Sequence, residues 1–151
     1  MGIEEGEHKL DVKELNTKGK WNGCSPAAFY NCLKYLESQR KLNPANAGVN
    51  LLLEWIAICF QINPKTGGII DPDILNGAVQ MFRGLGYNSA CFEVLYDNQP
   101  LPFLEKFAAE ISNNAPCEVG GAGKGIFVDH STTGIGHVKQ GELYQLIIHD
   151  G

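Results

Sequence analysis

Gly23-Cys24-Ser25-Pro26-Ala27-Ala28-Phe29-Tyr30-Asn31-Cys32-Leu33-Lys34-Tyr35-Leu36 sets a cysteine at the threshold of an apolar helix. Ser25 is of the residue type that caps a helix N-terminus, and Pro26 suits a first turn, where its missing N–H costs nothing. Phe29, Cys32, Leu33 and Leu36 recur at helical spacing and predict the buried stripe. The unpaired N–H groups of a first turn carry partial positive charge, which favours a thiolate over a thiol. Cys24 is therefore the candidate nucleophile. The bland alternative is a small buried apolar group, and that reading applies to Cys32, Cys59, Cys91 and Cys117, which lie within apolar stretches.

Outward from this helix, residues 1–15 are polar and read as a flexible segment, with Val12 and Leu15 as possible anchors. Downstream, Asn43-Pro44 to Gly48 reads as a linker into the apolar stretch Leu51 to Phe60, long enough for a nearly buried helix. Asp71-Pro72 repeats the cap-then-proline pattern, and Ile74, Leu75, Val79, Phe82 and Leu85 keep helical spacing until Gly84 and Gly86. The pattern then changes. Ala90 to Tyr96 reads as a strand and Leu101 to Ser112 as a helix. Cys117 to Val119, Gly125 to His130 and Leu143 to Asp150 read as strands, with a turn at Ser131 to Gly134 and another at Gly141. Helices followed by strands predict an α+β fold with a largely antiparallel sheet.

A length of 151 residues predicts a single domain, 1–151, able to bury a core without staples. Five dispersed cysteines without a C-x-x-C pair suggest neither a disulfide framework nor a zinc knuckle, which fits a reducing compartment. A net charge of −5 argues against nucleic acid or an anionic membrane as partner. The acidic start and the lack of a long apolar run point to a cytoplasmic protein, or one secreted by a leaderless route. No cofactor is indicated. The glycines at 120, 121, 123 and 125 lead into a strand, whereas a phosphate-cradling loop leads into a helix.

Thiol catalysis needs a base that accepts the sulfur proton and later protonates the leaving group, a task imidazole performs near neutral pH. His8 lies in the flexible-looking N-terminal segment and His149 next to the end of the sequence, which leaves His130 and His137 as the better placed pair. His137 follows Gly136 at an expected strand entrance and is taken as the base, with Gly136 beside the substrate. Asp150 is the leading candidate to orient the imidazole, reached through one strand, the Gly141 turn and a returning strand. The Cys24 N–H and a side-chain donor would stabilise an oxyanion, with Asn16 ranked above Asn22 and Lys18. Trp21 could line a substrate subsite or plug the core. The histidines could also be read as metal ligands, but no Cys or carboxylate spacing reinforces that reading, so no metal is assigned.

The order of a cysteine at a helix start, further helices, a Gly-His strand entrance and a later Asp resembles the papain-like thiol hydrolases. The string Gly23-Cys24-Ser25-Pro26-Ala27-Ala28 looks most like the C39-like peptidases, whose typical string is G-C-G-P-T/A. The resemblance implies a papain-like α+β fold in which a helical part led by the Cys24 helix packs on a small antiparallel sheet. It further implies Cys24 as nucleophile, His137 as base, Asp150 as orienter, and an acyl-enzyme formed from the amide bond of a peptide or protein substrate. The chain departs from the pattern: no Gln precedes Cys24, and Asp150 is followed by Gly151 instead of Pro. Glutamine deamidation, or peptidoglycan amide cleavage of the kind bacterial effectors perform, would use the same trio. A non-catalytic binding module of papain-like shape is the competing expectation.

Overall fold

The computed structural model describes residues 3–13, 24–39, 55–56, 58–61, 71–87, 100–121 and 130–149. In chain order they form β1 (Gly6–Lys9), α1 (Cys24–Ser38), α2 (Asp71–Gly84), α3 (Pro100–Ser112), β2 (Cys117–Gly121), β3 (His130–Gln140) and β4 (Leu143–His149). Residues 55–56 and 58–59 are also helical. The expected strand 90–96 lies outside the described residues. The architecture is α+β, with helices packed on a small antiparallel sheet.

β3 organises the sheet. β4 pairs with it from Thr133 to Gln140, β2 from His130 to Gly134 and β1 from Gly136 to Lys139, all antiparallel. Thr133 pairs with both Glu118 and His149, and His137 with both His8 and Leu146. A strand has two hydrogen-bonding edges, so β4 occupies one while β2 and β1 lie end to end along the other. The β3–β4 hairpin closes through Gly141-Glu142, and Gly141 takes a φ of 59° that glycine adopts without strain. This is the turn that the sequence predicts.

Two sequence expectations fail here for identifiable reasons. The segment 131–134, expected as a turn, is the middle of the sheet, because its glycine makes room instead of bending the chain. A Cβ on Gly134 would lie 2.6 Å from the Phe107 ring and 2.7 Å from Val119. Likewise the N-terminal segment is no free tail. Leu10 and Val12 are buried, Leu10 N–H donates to Ile135 C=O at 2.8 Å, and β1 completes an edge of β3. The expected anchor Val12 is in place, and Leu15 lies outside the described residues.

α1 ties two apolar clusters together. Phe29 and Leu33 meet Ile56, Phe60 and Met81, with the Phe29 and Phe60 rings edge to face at 4.9 Å. One and a half turns on, Tyr35 joins Leu10, Val12, Phe107, Ile111 and Ile135. Phe29, Cys32 and Leu33 of the expected stripe are buried and Leu36 is partly so, but burial extends round the whole helix from Ser25 to Leu33 and includes Tyr35, so α1 is covered on every side there instead of along one stripe. Both following helices end as their sequences suggest. After α2, Gly86 N–H bonds Arg83 C=O and Tyr87 N–H bonds Phe82 C=O, with Gly86 at φ 92°. After α3, Asn114 at φ 56° fills the same left-handed position, with Ala115 N–H on Glu110 C=O. Among the described residues no helix is long and apolar enough to cross a membrane.

Candidate functional site

Cys24 opens α1 and is half-buried. Its sulfur accepts a hydrogen bond from the Ser131 backbone N–H of β3 at 3.3 Å. The thiol thus lies between two sources of N–H polarity: the first turn of its own helix and one amide of the central strand. Ser25, expected as the cap, is instead inside the first turn. It is buried, and its hydroxyl donates to the Glu118 carboxylate of β2.

Farther along α1, Asn31 Nδ2 donates to Thr133 Oγ1 at 3.1 Å, and that hydroxyl in turn donates to Ala28 C=O at 3.4 Å. Thr133 therefore faces α1. Directly paired residues share a face of an antiparallel sheet, so Glu118, Thr133 and His149 form one row across three strands on the α1 side. Ser25 meets the first of the row and Ala28 and Asn31 the second. The third, His149, keeps a buried Nδ1 with no hydrogen-bond partner among the described residues. Its diagonal neighbour on β3 is Ser131, and such neighbours stand roughly 7–8 Å apart.

The other described histidines are placed differently. His130 is the first residue of β3, and strand alternation directs it to the face opposite Ser131 and Thr133. His137 is six residues beyond Ser131, roughly 20 Å along an extended strand, so it is not brought to Cys24. It is not at a strand entrance either, but well inside β3. There its ring stacks on His8 with centroids 5.0 Å apart. Gly136, expected beside a substrate, lies under β1 instead: a Cβ there would sit 2.4 Å from His8 C=O. Asn16, Trp21 and Asp150 lie outside the described residues.

The remaining described thiols differ from Cys24 in their surroundings. Burial pushes Cys32 well up, with Cys117 and Glu118 nearby adding to it, and burial also raises Cys59. Cys117 is pushed up to about 12 by burial and then by the Glu110 carboxylate. All three are held as thiols at neutral pH, in keeping with core positions. Among the described residues no three His, Cys, Asp or Glu side chains converge to hold a metal ion.

Two members of this constellation were not legible in the sequence. The Ser131 contact is a backbone group, which leaves no residue-type signal. His149 was passed over for its place next to the end of the sequence. A regular ladder from the Gln140–Leu143 pair would set His149 against Gly134, on the far face. The irregularity between Gly134 and Gly136 shifts the register by one and brings His149 against Thr133. Glu118 did carry a signal, as a lone carboxylate between Cys117 and Val119. Comparisons with protein-family models, with curated proteins and with solved structures found no match to this chain.

Proposed function

We propose that this chain is a cysteine-dependent hydrolase of papain-like type that cleaves an amide bond through an acyl-enzyme at Cys24. The observation that supports it is the Cys24 sulfur at the first turn of α1, receiving the Ser131 N–H. His149 takes the part of the base in this reading, in place of His137, because its position on the α1 face and its unpartnered Nδ1 suit that role. The imidazole accepts the Cys24 proton as sulfur attacks the carbonyl carbon. The C–N bond then breaks, the proton passes to the leaving amine, and water cleaves the thioester to regenerate the thiol. Backbone N–H groups of the first turn of α1 are the donors available to a developing oxyanion. A peptide bond is the first choice of substrate; the amide of a glutamine side chain or of peptidoglycan would pass through the same steps.

The test is alkylation with iodoacetamide, mapped residue by residue across pH, followed by turnover of amide substrates. Cys24 is expected to react faster than Cys32, Cys59 and Cys117, and Cys24→Ala to abolish turnover. His149→Ala should slow both reactions at neutral pH by a factor of about 100, within the usual span for a general base, while His137→Ala leaves them within a few fold. Undiminished turnover by Cys24→Ala would refute the reading. A Cys24 as sluggish as Cys117 would instead point to a non-catalytic module. A severe loss in His137→Ala with His149→Ala unaffected would return the base to His137.

A further inference from the structure

Far from Cys24, His8 and His137 face each other as direct partners on β1 and β3. Their rings are 5.0 Å apart and inclined by 27°. His137 is 5% exposed, and neither of its ring nitrogens finds a hydrogen-bond partner among the described residues; nor does the buried Nε2 of His8. A buried polar atom without a partner is uncommon and asks for a reason. Here the pair is tolerable while His137 is neutral, since a charge on its ring finds no hydrogen-bonded acceptor among the described residues and faces His8 across the stack.

We propose that the His8–His137 pair is a proton-operated catch that holds β1 on β3 near neutral pH and lets residues 6–9 lift away on acidification. The groups around the pair define the pH window. From β1 come His8 and, beyond it, the Glu4 carboxylate, 3.7 Å from His8 Nε2 and largely exposed. From β4 the residue opposite His137 is Leu146, which does not titrate. One step along the ladder Lys139 lies 3.4 Å from the Glu5 carboxylate and donates to Ile3 C=O at 3.0 Å. Within this surrounding, His137 is the group on which the pH response depends.

The direction is fixed by linkage. Burial, and then the neighbouring His8, hold His137 below its ordinary value, with Glu4 opposing. A lifted β1 would free His137 to bind a proton at its ordinary value near 6.5. The docked state therefore has its full advantage above about pH 6.5 and loses it as pH falls below that value toward the lowered one. Leu10 and Val12, buried in the core beneath, stay as the hinge about which residues 6–9 move.

Hydrogen exchange of the full chain at pH 7.5 and 5.5, corrected for intrinsic exchange rates, tests the catch. Amides of residues 6–9 should lose several-fold, up to about tenfold, of their protection at pH 5.5, while those of residues 25–33 in α1 keep theirs. Replacing both rings in the variant His8→Phe with His137→Phe should abolish the pH response; His8→Phe alone, at the more exposed position, should reduce it. Unchanged protection of residues 6–9 at pH 5.5, equal loss in α1, or an undiminished response in His8→Phe would each overturn the proposal.

Discussion

At the His130 end of β3, polar groups meet partners: Ser131 N–H the Cys24 sulfur, Thr133 the Asn31 amide and Ala28 C=O, and Glu118 the Ser25 hydroxyl, with His149 Nδ1 the exception. At the Gln140 end, two stacked imidazoles bring three buried nitrogens that meet no hydrogen-bond partner among the described residues. Both ends belong to one strand and one sheet, so the difference is one of what covers them. α1 arrives with side chains and a helix terminus that bond to β3, whereas β1 sets a ring that stacks on His137 and reaches only the exposed Glu4 carboxylate. A bonded polar network is rigid and fixes geometry, as the proposed reaction requires. An unsatisfied pair stores a conditional contact that a proton can remove.

Three substitutions on or beside β3 probe this division, and the largest effect lies between the two ends. Gly134→Ala would force a methyl to within 2.6 Å of the Phe107 ring, and ring, Val119 and strand all belong to the packed interior. Overpacking of this kind should lower the unfolding free energy by about 3 kcal/mol, read by urea denaturation. A neutral Gly134→Ala would mean that β3 and α3 do not pack as described. Next comes Asn31→Ala at the α1 end, which removes the amide bonded to buried Thr133 and leaves a small void. The expected cost is about 2 kcal/mol, and a much smaller one would show that Asn31 is not holding β3 to α1.

What the sequence made legible follows from how local each signal is. Helix α1, the stop at Gly86 and the Gly141 hairpin depend on neighbours a few residues apart, so residue types disclose them. Cys24 at a helix start is equally local. The role of β3 was hidden because Gly134 and Gly136 look like turn residues, and their small size serves contacts with Phe107 and His8 that are distant in sequence. His137 was misplaced relative to Cys24 for the same reason: moving the strand start from about 137 to 130 carries the imidazole six residues from the Cys24 contact. The register shift that turns His149 toward α1 is also a property of the assembled ladder.

The smallest change in global stability should come from Gly136→Ala, although its clash is closer than that of Gly134→Ala. The added methyl would lie 2.4 Å from His8 C=O and 2.9 Å from Lys9 Cα, so backbone, not a flexible side chain, has to give. What gives is an edge strand of four residues, and it can lift without unravelling α1 or the Phe107 cluster beneath. The cost is therefore capped at what docking of residues 6–9 contributes, about 1 kcal/mol, the low end for overpacking. The local effect is large: at pH 7.5 residues 6–9 should already exchange as they do in the unmodified chain at pH 5.5, and acidification should add little. Because Cys24 meets β3 at Ser131, its alkylation rate should stay unchanged in this variant. An altered Cys24 rate would couple the two ends of β3, and full protection of residues 6–9 would show that β1 does not lie over Gly136.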